Sequence, residues 1–441
     1  MMAVGGQSGA VQSNGELKGA VEHHIRHIPL SYDNTASNES ALRLVLTVRP
    51  EWADEGSNVE FHRFTDGITN TLMKAVNKRA GLSKEEVDKE AILLRAYGNG
   101  TDLIIDRLRE TQNHELLMKY GLAPELIARF ENGMMYRFIR GNPTKPEDLR
   151  KPVIYKAVAR RLAQWHAVVP CIRGLTGHSR KNSRADAPIS LDTNLGDVEY
   201  QRAIDSVAPG KPPPNVWTVM QKWIFALPTD TEAQRDRQAE LQKELTYVVN
   251  QLSQRPGLGV NGLVFAHCDL LSGNVIVLPK PNGVTNGDKA AESVAFIDYE
   301  YGAPSPAAFD LANHFAEWGG FDCDFNVLPT RSQRREFITE YIHSYAIYLE
   351  EKKPGSAAGF DEAAEVERLL TEVDHFRGVP GFYWGIWALI QATISQIEFN
   401  YAEYAETRLG EYYAWKEEVT GLREKSGKEV PLRERRWAQE E

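Results

Sequence analysis

The chain has 441 residues, enough for two lobes that share a substantial core or for two to three modest domains. Its net charge of −10 argues against the broad basic face of a nucleic-acid-binding protein, although a local basic pocket for phosphates stays compatible with it. Three scattered cysteines are too few for a disulfide framework or a zinc cluster, which indicates a reducing compartment.

The first residues and the apolar runs predict a protein of the cytoplasm with no stable membrane insertion. Residues 1–20, rich in Gly, Ser, Gln and Asn, are expected to be a disordered leader, and they lack the apolar core of a secretory signal. The longest aromatic-rich apolar run, residues 381–390, is about half the length of ~20 residues that a membrane span requires.

Residues 21–140 are predicted to form a small first lobe built mainly of strands. Strands are expected at 42–48, on both sides of a turn at 65–67, at 91–97, at 127–130 and at 134–139. The polar segment 82–90 is expected to be a hairpin loop. The spacing of Leu108, Leu116 and Leu117 among charged residues predicts one helix over 106–120.

Residues 141–441 are predicted to form a larger, mainly helical lobe. We expect a helix at 151–169, an irregular excursion at 177–215, a strand–loop–strand block at 262–278, a strand at 294–297, and helices after Phe309 that end in a charged tail at 422–441. A β-rich lobe followed by a helical one is an α+β arrangement, and it places a ligand cleft between the lobes.

The most informative stretch is the loop 267–274, HCDLLSGN, which lies between two apolar runs. It matches the H-x-D-L-x-x-x-N spacing of the kinase catalytic loop. A carboxylate at Asp269 can orient an attacking hydroxyl and accept its proton, while Asn274 can offer an amide oxygen to Mg²⁺. Asp298 ends the strand at 294–297, where a carboxylate can bind a Mg²⁺ ion that bridges phosphates. Either aspartate alone is equally explained as a turn residue, but the spaced set favours a phosphotransferase.

The first lobe supplies weaker candidates. A turn of small and polar residues has backbone N–H groups that could approach ATP phosphates, and a plain β-turn explains it equally well: Asp66, Gly67, Ile68, Thr69 and Asn70. Arg95 lies in an otherwise apolar strand, so it requires an anionic partner, either a phosphate or a surface glutamate. Glu110, on the helix that follows, could orient Arg95 or serve only the helix itself.

An aromatic and acidic cluster is predicted in the last third of the chain. Trp384 and Trp387 are three residues apart, so they share a helix face, and Tyr401 and Tyr404 repeat that spacing. Together with the carboxylate of Glu317 they could form a cage for an ammonium ion. The alternative is ordinary packing of a helical core.

Several motifs in this chain resemble those of the choline/ethanolamine kinase family, over about residues 60–416. They are HCDLLSGNVI, FIDYEYGAPSPAAFDLANHFAEW, FYWGIWALIQATISQIEFNYAEYA, AILLRAYGNGTDLIIDRLRE and the helix segment LAQWHA. The resemblance implies a bilobal protein-kinase-like fold, with an ATP-binding lobe at 21–140 and the catalytic loop and amino-alcohol pocket in the lobe at 141–441. It also implies ATP and Mg²⁺ as cofactors.

The family pattern implies a role for each matching position. Asp269 would be the catalytic base, Asn274 and Asp298 the Mg²⁺ ligands, and Arg95 with Glu110 the phosphate-contacting pair. The remaining assignments are the ATP loop at Asp66 to Asn70, the adenine-contacting backbone from Arg137 to Ile139, and the amino-alcohol pocket at Glu317, Trp384, Trp387 and Tyr404. The chain departs from the family at Cys268, where an asparagine is usual, and at Asp66-Gly67, where two glycines are often found.

The substrate implied by the resemblance is ethanolamine, because LLSGN, YGNGTD and ITN look more like ethanolamine kinases than choline kinases. The product would be phosphoethanolamine, made in the first step of the CDP-ethanolamine route to phosphatidylethanolamine. Choline, or both amino alcohols, remains the alternative. More remote alternatives are an aminoglycoside-type or sugar phosphotransferase and an inactive nucleotide-binding protein. Family members often form dimers, so a homodimer stays open.

Overall fold

The computed structural model describes residues 25–64, 70–98, 100–171, 195–280, 292–395 and 397–441. In these ranges the strands are β1 Arg26–Ile28, β2 Val59–Phe64, β3 Asn70–Asn77, β4 Ile92–Tyr97, β5 Leu126–Phe130, β6 Gly133–Arg137, β7 Asn142–Pro143, β8 Val264–Ala266, β9 Val275–Val277, β10 Val294–Phe296 and β11 Ala303–Ser305. The helices are α1 Ser37–Val48, α2 Lys84–Glu90, α3 Arg107–Lys119, α4 Pro146–Leu149, α5 Pro152–Val168, α6 Leu195–Asp205, α7 Val216–Phe225, α8 Glu232–Leu252, α9 Ala307–Ala316, α10 Arg331–Lys352, α11 Glu362–Phe376, α12 Val379–Ile394, α13 Tyr401–Val419, α14 Leu422–Ser426 and α15 Leu432–Ala438.

The first lobe is built on a six-stranded sheet in the order β1-β5-β6-β4-β3-β2, in which β1 runs parallel to β5 and the other pairs are antiparallel. Strand β4 lies inside this sheet and alternates its side chains between two faces. Ile92, Leu94 and Ala96 enter a buried apolar core on one face. Arg95 therefore projects from the opposite face, toward the second lobe.

Two predictions for the first lobe were wrong. Residues 42–48 form part of helix α1, because Ala41, Leu44 and Val45 share one helix face and bury it against the sheet core. The segment 82–90 contains helix α2, which begins with a capping box between Ser83 and Glu86. The predicted strand at 91–97 and the predicted helix over 106–120 are confirmed by β4 and α3.

The second lobe places the catalytic-loop motif on short strands surrounded by helices. Strand β8 pairs with β11, and β9 pairs with both β10 and β7. The helix predicted at 151–169 is confirmed by α5. Of the predicted excursion at 177–215, residues 177–194 lie outside the described ranges, whereas Leu195–Asp205 form helix α6, which was not predicted.

Glycines allow α12 and α13 to pack closely. A Cβ atom on Gly381 would lie 2.4 Å from the carbonyl oxygen of Arg408, and one on Gly385 would lie 2.6 Å from Cγ of Leu409. A larger residue would push the helices apart. The helix that carries Trp384 and Trp387 is thus held in direct contact with the helix that carries Arg408.

The predicted charged tail is in fact packed structure. Trp437 of α15 is buried and donates its indole N–H to Oδ1 of Asp374 at 2.7 Å. The carbonyls of Gln439 and Glu440 accept hydrogen bonds from the backbone N–H groups of Arg331 and Ser332, at 2.8 and 2.9 Å. These are first-turn donors of α10 that the helix itself cannot satisfy. Across the described residues, no helix has the length and apolar character needed to cross a bilayer.

Candidate active site

The loop 267–274, the predicted catalytic loop, is held by hydrogen bonds to a buried carboxylate on α9. Oδ2 of Asp310 accepts from the backbone N–H of His267 at 3.0 Å, and Oδ1 accepts from the backbone N–H of Cys268 at 2.8 Å. His166 donates its Nε2–H to the same carboxylate at 3.0 Å. Burial alone would raise the pKa of Asp310, but these donors outweigh it and the pKa lies below its ordinary value. Asp310 therefore remains an anion that fixes the loop.

Cys268 occupies a conformation that suits asparagine better than cysteine. Its φ is +64°, in the left-handed region, where asparagine is enriched. The thiol is 1% exposed and lies 3.4 Å from the hydroxyl of Ser305, and burial raises its pKa well above the ordinary value. The side chain therefore points away from the cleft and has no thiolate character. Cys268, which stands where the family pattern has asparagine, therefore changes how the loop 267–274 is supported. The candidate Mg²⁺ ligands, Asn274 and Asp298, match the pattern.

Asp269 and Asn274 are in direct contact. The side-chain amide of Asn274 donates to the carbonyl oxygen of Asp269 at 2.8 Å and to its Oδ2 at 3.1 Å. Because the amide nitrogen faces Asp269, the amide oxygen is the atom that can face a cation. Burial, followed by the charges of Asp298, Glu317 and Glu300, raises the pKa of Asp269 well above its ordinary value.

Arg95 pairs with three carboxylates, one from its own lobe and two from the second lobe. It lies 3.2 Å from Glu110 on α3 and 2.8 Å from Asp298, and it also pairs with Glu300. Arg95, Glu110 and Glu300 are almost fully buried, whereas 30% of the Asp298 side chain is exposed. Arg107 adds a second cation, 2.9 Å from Glu110 and 3.3 Å from Glu300. The cluster thus sets two guanidiniums against three carboxylates, so it keeps one net negative charge when all are ionised.

The side-chain oxygen atoms of Asn274 and Asp298 are of the kind that binds Mg²⁺. Among the described residues no three His, Cys, Asp or Glu side chains are arranged to hold a metal ion by themselves. Mg²⁺ in phosphate-transferring sites takes one or two protein ligands and completes its shell with phosphate oxygens and water. Asn274 and Asp298 could supply that number of oxygen ligands. Asp298 has a φ of +65°, so its side chain is presented by an unusual backbone turn just after β10.

The predicted nucleotide contacts are only partly within the described ranges. Asp66, Gly67, Ile68 and Thr69 lie outside them. Asn70 is described, and its side-chain amide donates to Oε2 of Glu300 at 3.1 Å, across the cleft.

The segment predicted to meet adenine is a continuation of β6 towards the second lobe. The side chain of Arg137 pairs with Glu125 at 3.0 Å, away from the carboxylate cluster, and its backbone N–H donates to the Glu125 carbonyl. The next N–H, of Phe138, donates to Ala91. Ile139 follows the end of the strand and is partly buried.

The predicted aromatic residues converge beside the catalytic loop. The rings of Trp384 and Trp387 lie 5.5 Å apart and nearly perpendicular, and Trp387 lies 5.8 Å from Tyr401. Tyr404 joins the same cluster through Phe399, at a centroid distance of 5.6 Å. Each of the four predicted aromatic residues is at most 8% exposed, so the cluster is also part of the core of the second lobe.

Glu317, the predicted carboxylate of the amino-alcohol pocket, lies at the end of α9 and is buried. Its Oε1 is 3.4 Å from Nη2 of Arg408, a buried arginine on α13. Burial raises the pKa of Glu317 and the charge of Arg408 opposes that rise. The charge of Glu317 also raises the pKa of Asp269, so the two carboxylates are electrostatically linked.

Three functional candidates were missed by reasoning from the sequence. Glu300 and Tyr301 both belong to the motif IDYEYG, in which only Asp298 was singled out. The hydroxyl of Tyr301 accepts from the indole of Trp387 at 2.8 Å, so it links the acidic and aromatic clusters. Arg408 lies four residues after Tyr404, so the two share a helix face. This spacing is the signal that could have identified Arg408.

A family model described as Choline/ethanolamine kinase matches residues 61–413. The chain belongs to the choline/ethanolamine kinase family.

Relatives in this family match most of the chain. Ethanolamine kinase 1 of Mus musculus is 33% identical over 395 residues, which cover 87% of this chain and 91% of the relative. A probable ethanolamine kinase of Nematostella vectensis is 32% identical over 402 residues, covering 90% and 99%.

Solved structures of the choline/ethanolamine kinase family share the fold. A Plasmodium vivax ethanolamine kinase has a TM-score of 0.57 and 24% identity, covering 86% of this chain and 88% of that one. A choline kinase from Cryptosporidium parvum has the same TM-score and 21% identity, covering 88% and 97%. The predicted bilobal, protein-kinase-like fold is confirmed.

Proposed function

We propose that this family member transfers the γ-phosphoryl group of ATP to the hydroxyl of ethanolamine, giving phosphoethanolamine and ADP. The observation that carries the proposal is the convergence of Asp269, Asn274 and Asp298 beside a buried carboxylate and an aromatic cluster. Phosphoryl transfer depends on positioning and on stabilisation of charge, which this arrangement can supply. The names of the relatives, ethanolamine kinases, support the same substrate.

In the proposed mechanism Asp269 orients the ethanolamine hydroxyl and accepts its proton. The hydroxyl oxygen forms a bond to the γ-phosphorus while the bond to the bridging oxygen of ADP breaks. Asn274 fixes the Asp269 carboxylate through its amide N–H at 3.1 Å. Mg²⁺, held by Asn274 and Asp298, would offset the negative charge of the phosphates. The pKa of Asp269 is raised, and the positive charge that Mg²⁺ would supply when bound favours its ionised form, in which the carboxylate can accept the proton.

Arg95 is proposed to exchange partners when the nucleotide binds. In the described structure it pairs with Asp298 and Glu300 from the second lobe and with Glu110 from its own lobe. Metal bound to Asp298 would compete with that ion pair, and Glu110 would then keep the guanidinium aligned toward the phosphates. The loop from Asp66 to Asn70 and the backbone at Ile139 remain the proposed contacts for the phosphates and adenine.

The amino-alcohol end of the substrate is assigned to Glu317, Trp384, Trp387 and Tyr404. A primary ammonium has three N–H donors and gains most from a carboxylate, here Glu317. A quaternary ammonium gains mainly from aromatic faces, which Trp384 and Trp387 supply. Choline is therefore the competing substrate.

The experiment that tests this proposal is a side-by-side measurement of kcat/KM for ethanolamine and choline, with ADP release as the readout. We expect turnover with ethanolamine at the higher kcat/KM and none for Asp269→Asn. An acceptor panel with aminoglycosides and sugars tests the broader phosphotransferase alternative. A higher value for choline would reassign the substrate, and the absence of turnover with every acceptor would support an inactive nucleotide-binding protein.

A further inference from the structure

A row of buried charges leads from Glu317 to the last helix of the chain. Arg408 contacts Glu317 at 3.4 Å and Glu411 at 3.4 Å. Glu411 accepts from Nε of Arg433 at 3.0 Å, and Arg433 pairs with its neighbour Glu434 at 2.7 Å. The signs alternate at every step.

The outer end of this row reaches solvent through Arg377. Its Nε lies 2.8 Å from Oε2 of Glu434, and 17% of its side chain is exposed. The inner five members, Glu317 to Glu434 along the row, are each at most 6% exposed. Desolvated ions of this kind are retained only when each has a close partner, because an unpaired buried charge is costly.

The inner end of the row lacks a second cationic partner that an ammonium ion could supply. Glu411 and Glu434 each lie between two guanidiniums of the row, whereas Glu317 pairs within it with Arg408 alone. Glu317 is the terminal member on the side of the aromatic cluster, where Arg408 also lies 5.8 Å from the ring of Tyr404. A cation placed beside Glu317 would give it the second cationic partner that Glu411 and Glu434 already have.

We infer that Arg408 is a positioning residue for the amino-alcohol site, and that Glu411 and Arg433 determine how strongly Arg408 neutralises Glu317. Arg408 divides its charge between two carboxylates at equal distances, so Glu317 keeps part of its negative charge for the substrate. If Glu411 lost its charge, Arg408 would be left with Glu317 alone and would compete with the ammonium ion. This inference rests on the proposed function, in which Glu317 receives the substrate amine.

Replacing Glu411 tests the inference, because it should change the KM for ethanolamine much more than the KM for ATP. We expect Glu411→Gln to raise the KM for ethanolamine about tenfold while the KM for ATP and kcat change less than about twofold. Glu411→Asp keeps the charge and is expected to stay within about threefold of the wild-type KM for ethanolamine. Arg433→Met should act in the opposite direction and lower the KM for ethanolamine about threefold, because Glu411 then draws more strongly on Arg408, its remaining partner in the row.

Glu372→Gln is the matched control. Glu372 is as buried as Glu411 and pairs with Arg255 at 2.6 and 2.8 Å, outside this row. Its loss should lower thermal stability and leave the KM for ethanolamine unchanged. The inference is overturned if Glu411→Gln leaves that KM unchanged, or if the control shifts it equally. Should Glu411→Gln not fold, Arg433→Met decides: a lower KM for ethanolamine supports the inference, and an unchanged or higher one rejects it.

The wild-type enzyme separates this inference from the proposed function. A wild-type protein without ethanolamine turnover would reject the function itself. An active wild type whose Glu411 and Arg433 variants keep their KM for ethanolamine would reject only the role of the buried row.

Discussion

Trp384 donates its indole N–H to the side-chain oxygen of Asn313 at 2.8 Å, and the amide nitrogen of Asn313 donates to the backbone carbonyl of Cys268 at 2.9 Å. One side chain thus connects the aromatic cluster to the residue before Asp269. Placement of the proposed ammonium group and placement of the proposed base are consequently linked through a single amide. A substitution at Trp384 is expected to affect both.

Trp384→Ala is expected to raise the KM for ethanolamine by about tenfold or more, because an aromatic face contributes roughly 1–2 kcal/mol to a desolvated cation. The KM for ATP should remain near its wild-type value. Trp384→Phe keeps an aromatic face and removes only the N–H donor, so it should show the smaller KM effect together with a lower kcat. Steady-state kinetics with both substrates varied provides the measurement. Equal changes in the KM for ethanolamine and the KM for ATP would show that the aromatic cluster serves only to pack the core.

Asp298→Ala is expected to reduce kcat by about a thousandfold or more, because it removes a proposed Mg²⁺ ligand. The protein should stay folded, since 30% of the side chain is exposed and Arg95 retains Glu110 and Glu300. Turnover is measured by ADP release and folding by thermal denaturation. A folded variant with near wild-type turnover would remove Asp298 from the metal site.

Parts of this site were predictable because their residues are contiguous. The loop 267–274 carries its spacing within eight residues, and β4 and α3 show clear local periodicity. The partners of Arg95 could not be predicted in the same way, because Glu300 lies 205 residues further along the chain and is brought there by the closure of the two lobes.

Other predictions were wrong because the composition of the segment favoured one structure while its residue spacing or its contacts in the fold favoured another. Residues 42–48 are rich in β-branched and apolar residues, which favours a strand, but the burial of Ala41, Leu44 and Val45 follows helical spacing. The capping box at Ser83 and Glu86 was present in the sequence and marks α2. The charges near the end of the chain suggested a solvated tail, whereas Arg433 has buried partners that only the fold provides.

Cys268→Val is expected to lower the free energy of unfolding by about 1–3 kcal/mol, because a β-branched residue is strained at a φ of +64°. Cys268→Asn should be at least as stable as the wild type, since asparagine tolerates this conformation and Ser305 offers a nearby polar partner. Chemical denaturation measures both variants. If valine proved as stable as asparagine, strain at this position would not matter.

Gly381→Ala is expected to lower the free energy of unfolding by about 1–3 kcal/mol, because the new methyl group would meet the Arg408 carbonyl at 2.4 Å. Gly410→Ala on the adjacent helix is the matched control. A Cβ there meets nothing within 4 Å, so this variant should be neutral or more stable by about 0.5–1 kcal/mol. Equal losses from the two alanines would contradict close contact between α12 and α13.

The contribution of two buried histidines, His114 and His314, to stability is expected to fall as the pH is lowered from about 6.5 toward 4. Burial lowers the pKa of His114 and of His314 from 6.5 to about 4, so the unfolded chain binds protons in this range that the folded protein excludes. Above pH 6.5 the two histidines do not lower the free energy of unfolding. At pH 5 each of them lowers it by about 2 kcal/mol. Denaturation at a series of pH values measures the slope, and His314→Asn should reduce it. An unchanged slope would show that His314 does not titrate with unfolding.

The hydrogen bonds from Arg331 and Ser332 to Gln439 and Glu440 have a consequence for synthesis. The start of α10 is translated more than a hundred residues before the carbonyls that complete it. The second lobe therefore cannot reach the form described above until residues 439 and 440 have left the ribosome. A chain truncated near residue 430 would lack these acceptors and Trp437, and we expect quality-control proteases to degrade it.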